Sequence, residues 1–153
     1  MSDRISTILA AVVTQVRGLS LAVGGVVLPV LVRKAAVRRD RLDPSAMITV
    51  AKSRELETVT RWTFGELRTD YVIDVVIHSP FAGPEDALDD YATARDTLVD
   101  AFSRPPLAGA PLVFDLAARP AAWLQPYGEK SEYDWQAVQV IASVVTANSG
   151  GGA

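Results

Sequence analysis

The chain contains no cysteine, which excludes disulfides, thiolate metal sites and a cysteine nucleophile together. Its one histidine, His78, is the sole candidate for a histidine base or a Ser-His-Asp triad. Its place at the end of a strand, beside Ser79-Pro80, suits a strand-edge residue better. The Gly-x-Ser-x-Gly elbow, the phosphate loop ending in Gly-Lys-Ser/Thr and the dinucleotide fingerprint are all missing. Basic charge is not in excess: the net charge is -3, which argues against a general nucleic-acid binder. The longest uncharged stretch near the start, Gly18–Val32, has 15 residues and includes Gly24, Gly25 and Pro29. It falls short of the roughly 20 residues that span a bilayer, and Asp3, Gln15 and Arg17 spoil a signal-peptide pattern.

What is present is an ordinary globular composition, 49% hydrophobic and 22% charged over 153 residues. A chain of that length buries roughly 68–70% of its unfolded surface, enough for one core. Charge is divided along the chain: residues 1–76 hold 11 Lys/Arg against 8 Asp/Glu, and residues 77–153 hold 4 against 10. Such halves are electrostatically complementary. An acidic helix explains part of the asymmetry, and a head-to-tail subunit interface is the sharper alternative.

Helical periodicity puts Ile5, Ile8, Leu9, Val12, Val13, Val16 and Leu19 on one face, which predicts an amphipathic helix over 3–18, capped by Ser2 or Asp3 and ended with help from Gly18. The Gly24-Gly25 turn leads through Pro29 to a strand in Val30–Arg39, then a charged loop, then a short strand at Met47–Ala51. Glu55–Ile77 reads as a hairpin reversing around Phe64-Gly65-Glu66, with a mostly buried return strand. Pro84 opens a second helix to Phe102, whose apolar arc is Ala87, Leu88, Tyr91, Ala94, Leu98 and Phe102. Strands follow at Pro111–Leu116, continuing towards Trp123, and at Tyr133–Ala147, with a flexible Gly-rich tail over 149–153. The expected fold is therefore α+β: one domain over 1–148, with two amphipathic helices on one face of a mainly antiparallel sheet. Trp135, Val138, Val140, Ile141 and Val144 make the last strand apolar on both faces. The uncovered face needs loops or another subunit, and we expect a subunit.

Candidate chemistry is sparse. Asp86, Asp89 and Asp90 could offer oxygens to a hard cation, but carboxylates opening a helix are favoured by its dipole and read as a solvated face. No metal, cofactor or catalytic residue is expected. Arg38, Arg39 and Arg41 lack the aromatic platforms of a nucleic-acid site, and Trp62, Trp123 and Trp135 read as core or interface residues.

The layout nonetheless resembles a known family. It runs from the N-terminal helix and a strand to the charged loop Arg38-Arg39-Asp40-Arg41-Leu42-Asp43-Pro44 and the strand Met47-Ile48-Thr49-Val50. The hairpin Thr58-Val59-Thr60-Arg61-Trp62 follows, returning through Asp70–Ile77, before the helix Pro84–Phe102 and the strand Asp134–Val145. This order is similar to that of the tail terminator (tail completion, or minor tail) proteins of long-tailed bacteriophages and related prophages, over nearly the whole chain. The resemblance implies a homo-oligomeric ring, commonly a hexamer, without enzyme activity. Such a ring caps the tail tube, contacts the major tail tube protein and the head-completion or stopper protein, and lets DNA pass without sequence-specific binding. It implies a virion protein made in the host bacterial cytoplasm, with no membrane partner. Another neck component (stopper or connector), a dimeric small-molecule or peptide-binding α+β module, and a hydrolase or isomerase using His78 are the alternatives. A ring needs two different complementary patches per subunit. Charge and expected exposure select Arg38, Arg39, Arg41, Arg61 and Trp62 for one, and Asp86, Asp89, Asp90, Asp96 and Asp100 for the other.

Overall fold

Asp3 caps the first helix: its Oδ1 accepts the Ser6 amide at 2.8 Å, satisfying one of the donors a helix start leaves open. The computed structural model describes residues 3–33, 47–53, 57–80, 86–121 and 133–147. The cap opens helix α1, Arg4–Gly18. Gly18 is the last helical residue, as the sequence suggested, and the left-handed residue that leads the chain away is Ser20, at φ 48. Strands β1 (Ala22–Val23) and β2 (Val26–Val27) form a two-residue hairpin through Gly24 and Gly25. Then come β3 (Val30–Arg33), β4 (Met47–Lys52), β5 (Thr58–Thr63), β6 (Glu66–Pro80), α2 (Asp86–Ala101), β7 (Val113–Ala121) and β8 (Tyr133–Ala147).

The large sheet has the order β3-β4-β6-β8-β7, with β5 also on β6. All pairings are antiparallel except β3 with β4. Along one side of β6, β8 pairs with every residue from Glu66 to Pro80. The other side is shared: β4 takes Ile73–His78 and β5 takes Glu66–Asp70. His78 thus lies between Met47 and Trp135 in the register; it is an interior position of the sheet and not the strand edge expected from Ser79-Pro80.

Both helices pack on one face, as an α+β fold with a one-sided helical layer requires. Ile8, Val12 and Val16 of α1, and Tyr91, Ala94 and Leu98 of α2, meet Ile48, Val50, Ile73, Val75, Ile77, Val138, Val140 and Val144 of the sheet. Gln15 Nε2 donates to the Ala101 carbonyl at 3.0 Å, joining α1 to the last turn of α2 and satisfying an acceptor that the helix end leaves open.

The opposite face departs from expectation. Met47, Thr49, Ala51, Val72, Asp74, Val76, Ala137 and Ser143 are buried within a single copy of the chain, so covering this face does not call for a second subunit. Phe102, fully buried beneath the helical layer, provides a test of the core. Phe102→Ala should cost about 3–5 kcal/mol of unfolding free energy, whereas Val59→Ala, at an exposed strand position, should stay within about 0.5 kcal/mol, both read from urea denaturation midpoints.

Candidate functional site

All six residues of β5 are exposed; the strand pairs with β6, and among the described residues no other strand pairs with it. The turn to β6 uses Phe64 and Gly65. Gly65 takes φ +88, a conformation that costs glycine no Cβ clash, and Thr63 Oγ1 donates to Glu66 Oε1 at 2.8 Å across the turn. Phe64 sits at the tip, 100% exposed. A register shift between Arg61 and Thr63 makes Trp62 a bulge residue, and bulges re-aim a side chain.

Trp62 is aimed at a cluster built on Arg68. The guanidinium lies 5.0 Å from the Trp62 ring centroid and 5.3 Å from that of Phe114. The two rings are 5.6 Å apart and inclined at 55°. Arg68 Nε donates to Asp70 Oδ1 at 2.9 Å, and one terminal nitrogen donates to Ser143 Oγ at 3.0 Å and Asp115 Oδ2 at 3.5 Å. Ser143 Oγ in turn donates to Asp70 Oδ1 at 2.6 Å. The register explains the meeting: Asp70 and Asp115 both pair with Ser143, and Arg68 stands opposite Thr60 of β5. One cation therefore bridges four strands, in an arrangement that combines cation–π attraction with charge-assisted hydrogen bonds. A second polar row crosses the same face, where Arg119 Nε donates to Gln139 Oε1 at 2.8 Å and Gln139 Nε2 to Asp74 Oδ1 at 3.4 Å. The Arg68 contacts tie the exposed strand β5 to side chains of β7 and β8, adding to the β6–β8 ladder, so the chemistry of the cluster is positional.

The interface candidates fall in different places. Arg38, Arg39 and Arg41 lie outside the described residues. Arg61 is exposed on β5 and has no partner among the described residues, while Trp62 is half exposed and stacked on its own chain. Asp86 and Asp89 lie in the first turn of α2. Asp90 is engaged within the chain, accepting the Gly24 amide through Oδ2 at 3.0 Å, so it anchors the β1–β2 turn instead of standing free for a neighbour. Asp96 and Asp100 are exposed on α2. From sequence, Phe64 was read only as part of the reversal Phe64-Gly65-Glu66, and Arg68 and Phe114 were not singled out.

Among the described residues, no group of three or more acidic or histidine side chains is placed to hold a metal ion, and no helix is long and apolar enough to cross a membrane. Comparison with protein-family models and with curated proteins finds no match.

Burial pushes the Asp70 carboxyl upward, but hydrogen bonds from Ser143 and Arg68, with the Arg68 charge, outweigh it and hold the group below the usual aspartate range. A depressed folded-state value means that this stabilisation is complete above the unfolded value of about 3.9 and is lost as pH falls through the folded one. Asp70→Asn should therefore cost about 1 kcal/mol at neutral pH, after screening of a partly exposed group. In denaturation curves at stepped pH, the gap between variant and parent should hold steady to about pH 5 and close below about pH 4.

Proposed function

We propose that this chain is a structural assembly subunit that associates with copies of itself into a closed ring, as a tail terminator of a long-tailed bacteriophage does. The ring would cap the tail tube and join it to the head-completion proteins, with DNA passing through without sequence-specific contacts. Its place would be the virion, after synthesis in the host cytoplasm. The observation that carries the reading is the β5–β6 hairpin: an outer strand exposed along all six residues of β5, tied to the body by Arg68 and the β6–β8 ladder, with an aromatic tip. An open strand edge is a template for further pairing that proteins ordinarily blunt. Keeping one, and bracing it, favours a binding role over a catalytic one.

Charge placement adds support. Asp96 and Asp100 have no partner among the described residues, and Asp100 stands in the last turn of α2, which contains no basic residue. The helix dipole disfavours a carboxylate there by about 0.3–1 kcal/mol. A cationic neighbour such as Arg61 of another copy would reverse that penalty. The order of the elements, from α1 through the hairpin to α2 and β8, also follows the layout on which the family resemblance rests.

Native mass spectrometry and negative-stain imaging test the reading directly. The expected outcome is a ring that dissociates with rising salt. It should be weakened by Arg61→Glu and regain affinity when Asp96→Arg and Asp100→Arg are added. A chain that stays monomeric at every concentration and ionic strength would sink it.

A further inference from the structure

We propose that Phe64 of one copy seats in a cavity of a second copy, formed between the start of α1 and the segment 110–113, with Glu66 of the first copy facing Arg4 of the second. The inference deepens the self-association reading and rests on it. The cavity encloses about 300 Å³; a dry apolar cavity of about 150 Å³ is enough to bind benzene. Ile8, Pro111, Leu112, Val113 and Val144 line it, and Arg4 contributes the one charge. Leu112, 65% exposed beside it, extends the apolar surface outward.

Knob and hole are matched in charge as well as in shape. Arg4 is exposed in the first turn of α1, and no residue among those described pairs with it. A cation at that end opposes the helix dipole. The Phe64 tip brings a carboxylate, Glu66, two residues away, which answers Arg4 and the helix terminus together. An aromatic ring entering beneath a guanidinium also gains cation–π attraction. The tip is pre-organised by the Thr63–Glu66 hydrogen bond and the Arg68 cluster, which lowers the ordering cost of docking.

A chain cannot fill its own cavity. Val144 pairs with Thr69, five positions from Phe64, so the tip stands about 17 Å further along the strand. Knob and hole are different patches, so the contact either repeats head to tail around a ring or is exchanged reciprocally across a two-fold dimer.

The absence of cysteine makes a clean crosslinking experiment available. Thr63→Cys, which keeps the Phe64 ring, and Leu112→Cys chains, mixed and treated with a short bis-maleimide, should crosslink together and not when either is treated alone. The double variant should give a covalent ladder. Phe64→Ser should weaken self-association at least tenfold, on the order of a buried aromatic anchor's contribution, while Phe64→Trp retains it. Arg4→Glu should weaken it, and Arg4→Glu with Glu66→Arg should restore it. Phe64 and Leu112 are exposed, and circular dichroism checks that each variant folds. A parent that forms oligomers while Phe64→Ser leaves the affinity unchanged overturns the docking and spares the ring. Crosslinking that ends at a dimer keeps the docking and removes the ring, and a monomeric parent removes both.

Discussion

Fifteen consecutive residue pairs join β6 to β8, from Glu66 with Ala147 to Pro80 with Tyr133, and the rest of the sheet is arranged around that pairing. Side chains alternate along a strand, so a slip of one residue would exchange the two faces. In the observed register, Tyr71, Ile73, Val75 and Ile77 stand beside Val138, Val140 and Ala142 under the helices, and Asp70, Asp74, Gln139 and Ser143 stand on the other side. Burying the aspartates against the helical layer would leave charges without partners at a cost of several kcal/mol each. The long pairing also creates the hairpin. Because β4 takes only the second half of the free side of β6, the first half is left to β5, and among the described residues nothing pairs with β5 beyond it.

The polar rows on the second face complete this arrangement. The inner strand of the hairpin is held by the backbone ladder, since β8 pairs with Glu66–Asp70 on the side of β6 away from β5, whereas β5 is exposed along its whole length. Arg68 ties it down by reaching Trp62 of β5, Phe114 and Asp115 of β7 and Ser143 of β8 from one position on β6. The hydrogen-bonded carboxylates keep that cation from being an unpaired charge at a half-buried site, and the rings cover its faces. The result is an outer strand with no further partner among the described residues, whose direction is set by the β6–β8 ladder and by side chains of the body.

The elements best legible in the sequence were those whose cover is local in pattern. α1 and α2 announce themselves by period because each lays one stripe on a sheet, and β8 by an apolar run with no turn residue inside it. The Phe64-Gly65 reversal was visible for the same reason, since a positive φ demands glycine. What escaped was non-local. The parallel pairing of β3 with β4 leaves no trace in either strand, and the closure of the second face cannot be told from a subunit interface when apolar residues alternate poorly. The partners that gather around Arg68 lie 47 and 75 residues away, at Asp115 and Ser143. Asp90 looked free for an interface because its partner, the Gly24 amide, is 66 positions distant.

Two charges then stand out against an otherwise consistent design. Arg4 lies at the positive end of α1 and Asp100 at the negative end of α2, each exposed and each without a partner among the described residues. Asp3, one position before Arg4, shows that the same helix end accepts the charge that suits it. Each misplaced charge lowers stability by about 0.3–1 kcal/mol, a tolerable fraction of the 5–15 kcal/mol typical of a domain. Neither is needed for the core, and neutral residues would serve each helix better. In the proposed assembly, a carboxylate brought to Arg4 and a cation brought to Asp100 would each meet a helix end of the favourable sign, so that a local penalty in the isolated chain would become a preference for the assembled one.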